Sequence, residues 1–292
     1  GRFVFVMSRD GWVQKYDLWG LQEVGKVRAG LNARNIAMSK DGKWLAVANY
    51  LPHTLTILST EDLTVQKIFD VADAKGATSR VSAVYQAPTR DSFILALKDV
   101  PEIWEIATNP NAEPVFEGFV HSHETGMKEA LASSSGLFAR RRIPVSQPLD
   151  DFFFDPEYRH LIGAARDGGK AVVVNLIVGR EIAELALPGM PHLGSGISWM
   201  RDGRRVMATP HLKEGVISVV DVESWKLVST IKTEGPGFFL RSHETSPYVW
   251  ADAFFGRDKN AVHIIDKQSL SIVKTLRPAP GATVAHVEFD RY

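Results

Sequence analysis

The sequence contains no cysteine. Disulfides, thiolate metal sites and cysteine nucleophiles are therefore excluded, as is covalent attachment of a c-type haem, which needs Cys-x-x-Cys-His. Net charge is missing too. Thirty-four Lys and Arg balance 34 Asp and Glu over 292 residues, so no chain-wide attraction to nucleic acid or a membrane surface is expected. No apolar run reaches the roughly 18 residues that span a bilayer, and no charged-then-apolar leader opens the chain. A sustained 3.6-residue apolar period is absent beyond about two turns. No glycine-rich phosphate loop, no Gly-x-Ser-x-Gly and no histidine-carboxylate cluster of tight metal-ligand spacing is found.

What the chain does have is an apolar content of 45%, enough for a sizeable core, and a repeat. Short apolar runs end in a polar residue at Asp17, Ser59, Glu105, Asn175, Asp221 and Asp266, at intervals of 42, 46, 70, 46 and 45. Removing an expected insertion between units, about 120–149, leaves a period of about 43. One unit reads RNIAMSKDG, KWLAVANYLPH, TLTILSTEDL, TVQKIFDV, four short runs rich in β-branched and aromatic residues separated by turn residues. SKDG and MRDG are tight hairpin signals. Further units start near Arg80, Asp151, Gly196 and Phe238, and another near Ala285. Four strands per 40 to 50 residues predict an all-β fold, a β-propeller of four-stranded blades, as one domain over 1–292. A β-sandwich with chance spacing is the alternative. An open ring leaves sheet edges unpaired. The chain is therefore expected to be a piece of an eight-bladed ring with terminal strands missing, or else to close with seven blades.

In a propeller, the loops between the second and third strands emerge on the same face as the connections between blades, and loops carry function. These segments hold Arg9, His53, Lys98, Asp99, Arg166, His211 and Lys213, together with Arg34, Arg80, Arg140, Arg141, Arg142, His192 and His286. His243 lies toward the far end of an innermost strand. Arginine offers a rigid donor fork for carboxylates or phosphates, and imidazole suits a borderline metal or proton transfer. A polycarboxylated ligand that carries a metal would satisfy both. Each residue also has a plainer reading. A loop histidine is most often on the surface for no chemical reason, an arginine after a turn is commonly solvated, and the 140–142 run is more readily a solvated face than a clamp. The signal is their coincidence on one face.

The segments MSRDGWVQKYDLWG, NARNIAMSKDGKWLAVANYLPHTL, TSRVSAVY, DDFFFD, GMPHLGSG, VMATPHLKEG, GPGFFLRSHE and LRPAPGATVAHVEF resemble the NirF family of haem d1 biosynthesis proteins. More distantly they resemble the haem d1 domain of cytochrome cd1 nitrite reductase and NirN. The resemblance implies an eight-bladed propeller that binds haem d1 or an iron-tetrapyrrole precursor in its channel and helps convert ring propionates to keto groups. A non-catalytic carrier or scaffold is the alternative. His211 and His243 look to correspond to the family's distal histidines, with His192 in a matching segment. Arg9, Arg34 and Arg80, and more weakly Arg166, look to correspond to arginines that hold the macrocycle's carboxylates; His53 and Asp99 stand beside them. No metal site built by protein side chains alone is expected. A periplasmic location is implied. So are other haem d1 biosynthesis proteins, a small c-type cytochrome and the nitrite reductase as partners. NirF-like proteins lack the c-type haem that the nitrite reductase and NirN carry, and the missing cysteine was expected to place the chain with them.

Overall fold

In a computed structural model of the chain, the structure describes residues 1–117, 132–165, 169–187 and 189–289. Two compact units divide it, Gly1–Asp150 and Asp151–Tyr292. The first contains β1 (Phe3–Met7), β2 (Trp12–Asp17) and β3 (Gln22–Arg28); β4 (Asn32–Met38), β5 (Trp44–Leu51), β6 (Thr54–Ser59) and β7 (Val65–Asp70); and β8 (Val81–Ala87), β9 (Ser92–Leu97), β10 (Glu102–Ala107), β11 (Val115–Glu117), β12 (Ala132–Ser134) and β13 (Arg140–Pro144). The second contains β14 (Asp151–Phe154), β15 (His160–Ala164), β16 (Ala171–Asn175) and β17 (Arg180–Leu185); β18 (Ile197–Arg201), β19 (Arg204–Pro210), β20 (Val216–Asp221) and β21 (Lys226–Lys232); and β22 (Leu240–Arg241), β23 (Tyr248–Asp252), β24 (Val262–Asp266) and β25 (Ile272–Leu276).

Among the described residues these strands form one three-stranded sheet, β1–β3, five four-stranded sheets and a two-stranded ribbon, β11–β12. Every pairing is antiparallel, and strands are neighbours in chain order except where β13 follows β10. Apart from strands, only the short 3-10 turns Pro88–Arg90 and Leu193–Ser195 are present among them.

The middle strands are buried on both faces, as in β9, where all six residues of SFILAL are buried. The outer strands face solvent, as in β7, where VQKIFD is mostly exposed. Continuous apolar runs followed by polar ones are thus the signature of inner and outer strands. Successive sheets pack face to face through these runs. In the first unit Val13, Leu45 and Leu58 join the first two sheets, and Ile57, Phe93 and Trp104 join the next two. In the second, Ile162, Val173, Met207 and Val220 form one such layer, and Trp199, Val219, Val249 and Ile265 form another.

The repeated polar residue has a local cause. Asp17 Oδ1 accepts from the Trp19 N–H at 2.9 Å, Asn175 Oδ1 from Ile177 at 2.9 Å, Asp221 Oδ1 from Ser224 at 2.7 Å and Asp266 Oδ1 from Ser269 at 2.7 Å. Ser59 Oγ accepts from Glu61 at 3.1 Å. Each caps the turn from a sheet's next-to-last strand to its last. A residue of positive φ follows within the same turn: Leu21, Leu63, Gly179, Trp225 or Leu270. The strained leucines Leu63 and Leu270 are held by burial in the core, which contributes about 1.5–3 kcal/mol each against the cost of that conformation. Glu105 is the exception. It lies inside β10, its oxygens taken by Arg90 at 2.8 Å and Ser92 at 2.9 Å. The MRDG signal is a two-residue hairpin, with Asp202 and Gly203 both at positive φ between the paired Arg201 and Arg204.

Two local expectations change. Residues 140–144, counted in the expected insertion, are β13, the fourth strand of the third sheet. Arg140 and Arg142 lie over the Trp104 ring at 4.7 and 5.0 Å, and Arg142 reaches Glu102 at 3.1 Å. The run is a strand because alternating long side chains can cover an apolar ring while keeping their charge paired. The excursion therefore falls between a sheet's third and fourth strands, and 118–131 lie outside the described residues. Residues 283–289, expected to open another unit near Ala285, carry no strand pairing; His286 instead has φ +65° and pairs with Glu288 at 2.9 Å.

Candidate functional site

In the first unit, the loops at one end of the three sheets are knitted by backbone bonds. The Ala33 N–H donates to the Arg9 carbonyl at 3.0 Å, Leu31 to Leu51 at 2.8 Å, Val71 to His53 at 2.9 Å and Lys98 to Arg80 at 3.0 Å. Gly11 allows this approach: its φ is +87°, and a Cβ there would lie 2.0 Å from the Gly30 carbonyl oxygen. Arg9, Arg34, His53, Arg80 and Asp99 are thereby brought to one end.

Their states differ. Arg80 is engaged. Its Nε donates to Asp99 Oδ2 at 2.9 Å and to Oδ1 at 3.2 Å, and its backbone N–H adds a bond to Oδ2 at 2.9 Å. Its guanidinium also lies 5.3 Å from the Tyr50 ring centroid. The bond from Arg80 holds the Asp99 carboxyl below its usual range, with a further contribution from His53, and the same bond raises Arg80. Next to it, Lys98 pairs with Asp150. Arg34 is different. It sits within β4 rather than on a loop, at a bulge where Ala33 pairs with Asn49 and Asn35 with Ala48, leaving Arg34 itself without a strand partner. A bulge re-aims a side chain. Arg34 is half-buried and Arg9 exposed, and neither guanidinium bonds to a described side chain or carbonyl. The third sheet has its own bulge between Val81 and Ala83, where Ser82 bonds inward to the Ala96 and Leu149 carbonyls at 3.0 and 2.6 Å.

In the second unit, the corresponding end gathers His192, His211 and an aromatic cluster. The His192 N–H donates to the Pro210 carbonyl at 2.9 Å, and Gly237 donates to the His211 carbonyl at 3.1 Å. Gly237 is required by the same crowding, since a Cβ would come 2.7 Å from the Asp252 carbonyl oxygen. The His192 ring stacks on Phe238 at 4.4 Å. Its Nδ1 lies 2.8 Å from the Phe238 carbonyl, which can only accept, so Nδ1 carries the proton and Nε2 keeps the lone pair. Ser195 Oγ donates to that carbonyl at 2.7 Å. Nε2 faces Asp151 Oδ2 at 3.9 Å, and the imidazole is 22% exposed. Asp151 is oriented by the backbone N–H groups of Gly194 at 2.6 Å and Phe152 at 2.9 Å. Beneath, the buried Asp252 carboxylate accepts from the N–H groups of Phe238 at 2.7 Å, Phe239 at 3.0 Å and Phe254 at 3.1 Å. It fixes the segment whose carbonyl sets the His192 tautomer.

His211 does not line an open mouth. It is fully buried with Nε2 2.9 Å from Ser218 Oγ, because the Thr-Pro-His end of β19 is bridged to Pro191 and covered. His243 follows β22, whose far end leads into β23, so it lies at the opposite end of its sheet from His192 and His211. Its Nδ1 bonds to Thr245 Oγ1 at 2.8 Å and accepts the Thr245 N–H at 3.3 Å. Arg166 lies outside the described residues. No group of three or more His, Asp or Glu side chains among the described residues is gathered to hold a metal ion. Sequence reasoning missed Asp151, Asp252 and Tyr50. The signal for the first was DDFFFD at a blade start; Asp252 and Tyr50 lie in strands that read as ordinary.

The fold and these loop ends define an all-β, propeller-type domain with cationic and imidazole groups at blade ends. The chain belongs to the cytochrome D1 heme domain family, whose model matches residues 1–123 and 130–292. It is 48% identical over 291 residues to a dihydro-heme d1 dehydrogenase of Pseudomonas aeruginosa, covering 100% of this chain and 54% of that protein. It is 26% identical over 296 residues to Protein NirF of the same organism, covering 99% of this chain and 69% of that protein. A solved structure, dihydro-heme d1 dehydrogenase NirN in complex with DHE, superposes with a TM-score of 0.87 at 48% identity over 99% of this chain and 57% of that one. The chain thus spans about half the length of the relative and the structure that it matches at 48%. The expectation of a nearer match to NirF is corrected by these identities. The missing cysteine did not separate the groups, since a c-type haem can lie in the part of a longer relative that this chain does not span.

Proposed function

We propose that the chain binds an acidic iron tetrapyrrole of the haem d1 pathway and takes part in its dehydrogenation. The observation that carries the binding is Arg34, a half-buried residue at a strand bulge whose guanidinium bonds to nothing among the described residues. Leaving such a donor fork unpaired is costly unless an anion completes it. Arg9, also free, extends the grip, and Arg80 does so once Asp99 releases it. The iron would come with the macrocycle, and its redox chemistry would be the ligand's own, the chain supplying placement.

The relative at 48% identity favours removal of two hydrogen atoms from a dihydro-haem d1 over the keto-forming step implied by NirF. Two electrons would pass one at a time to an external carrier, a small c-type cytochrome, and the two protons to bases. At the second unit's blade ends His192 offers a base, because its Nδ1 is held by the Phe238 carbonyl and its side chain is partly exposed. The buried His211 supports the segment instead. A periplasmic location and delivery of product to the nitrite reductase belong to the same proposal.

Optical titration with dihydro-haem d1 tests it. Wild-type chain is expected to bind. Arg34→Gln is expected to weaken binding by about ten- to a hundredfold, the value of a charge-assisted contact of about 1.5–3 kcal/mol, with thermal stability unchanged. Equal affinity in the two proteins refutes the assignment of Arg34. Binding without turnover by any added cytochrome would leave a carrier.

A further inference from the structure

At the opposite end of the second unit's sheets from His192 is a groove of about 700 Å³ lined by Ile197, Ser198, Trp199, Met200, Arg205, Ser242, His243, Glu244, Ser246 and Lys267. Two bonds fix its shape. The Trp199 indole donates to the Lys267 carbonyl at 3.1 Å, and Arg201 Nε donates to the Gln268 carbonyl at 2.8 Å, so β18 is tied to the β24–β25 turn.

The two cations lining this groove have no counter-charge among the described residues. Arg205, the second residue of β19, lies opposite Met200, is half-buried, and its guanidinium bonds to nothing among the described residues. The Lys267 ammonium donates to the His243 and Ser246 carbonyls at 3.1 and 2.6 Å and meets no carboxylate. Burial holds it below the usual lysine range. The one acidic lining residue, Glu244, is exposed and pairs with neither. His243 Nδ1 is occupied as an acceptor by the Thr245 N–H, so Nε2 presents an N–H. The Ser198 hydroxyl likewise has no partner among the described residues. The lining therefore carries two positive charges that no carboxylate among the described residues pairs with, beside further donors from Ser198 and His243.

We propose that this groove is a binding site for a small oxyanion, the carboxylate of an organic acid or a phosphate, gripped by the Arg205 fork and the Lys267 ammonium with Ser198 and His243 as additional donors. The site is separate from the tetrapyrrole reading and stands whether or not that reading does. A fork and an ammonium flanking one cavity can clamp two oxygens of an anion at once, and the tie through Trp199 keeps the cavity formed before the ligand arrives.

Calorimetric titration of the whole chain with inorganic phosphate and, separately, with succinate tests the proposal and identifies the source of the oxyanion. Saturable binding of at least one probe is expected, weakened tenfold or more in Arg205→Gln and in Lys267→Met. Arg205→Gln is expected to melt at the wild-type temperature, because its guanidinium holds nothing in the fold. It keeps the test meaningful if Lys267→Met loosens the turn. No saturable heat with either probe, or undiminished binding in Arg205→Gln, overturns the proposal.

Discussion

The two units organise their blade ends by opposite means. In the first, long cationic side chains are set by backbone irregularity and ion pairing: Arg34 by a bulge, Arg80 by Asp99. In the second, an imidazole is set by stacking and by buried backbone bonds: His192 on Phe238, with Asp252 beneath. The first arrangement costs the fold little to disturb, since the arginines are partly exposed. The second is built into a core segment, where an unmade bond leaves a buried donor stranded. The guanidinium groups of the first unit and the imidazole of the second are therefore supported by parts of very different robustness.

His192→Gln should show the largest effect. If His192 is the proton acceptor, dehydrogenation by the chain with its electron carrier should fall about 10²- to 10⁴-fold, with the dissociation constant changed little; a rate within threefold of wild type would remove His192 from the chemistry. Asp252→Ala should come next. It strands three backbone donors, and urea unfolding should report a loss of about 3 kcal/mol or more. A loss below about 1 kcal/mol would mean that the aromatic segment does not depend on that carboxylate.

A third prediction concerns pH. His263 is fully buried, its Nε2 accepting the Glu234 N–H at 3.2 Å, and burial lowers its pKa from 6.5. The unfolded chain takes up a proton that the folded chain refuses, so this group's stabilising effect is present above pH 6.5 and is lost as pH falls below it. Melting temperatures measured from pH 7.5 to 5 should drop less in His263→Gln than in wild type; parallel curves would contradict this. The smallest effect belongs to Asp99→Asn. Asp99 has a depressed pKa, so its pairing contributes above pH 3.8 and fades as pH falls through the lower folded value. The pair is partly exposed, and its loss should cost less than about 1 kcal/mol. Because the change frees Arg80, tetrapyrrole affinity should rise rather than fall. A fall would show that Asp99 itself meets the ligand.

The blades could be read from sequence because all but one of the repeated polar residues make their own turn at a strand end, as Asp221 and Asp266 do. That signal is local, and so is the Asp202–Gly203 hairpin. What could not be read depends on partners distant in sequence. Nothing in NARN reveals that Arg34 is the bulged residue, because a bulge exists only in the pairing with β5. Arg80 and Asp99 were each visible as candidates, but their engagement with one another was not. His211 looked like a loop residue because the bridge to Pro191 that covers it joins segments 20 residues apart. Arg140 to Arg142 looked solvated because the strand they extend had been left behind at Ala107.

The central claim is that free arginine forks at the first unit's blade ends recognise the acidic side chains of the tetrapyrrole. Titrating the chain with dihydro-haem d1 and with its methyl ester, which keeps the macrocycle and iron but removes the carboxylates' charge, tests it most directly. The account predicts at least tenfold weaker binding of the ester, and a smaller difference between the two ligands in Arg34→Gln. Equal affinity for acid and ester in the wild-type chain would contradict it.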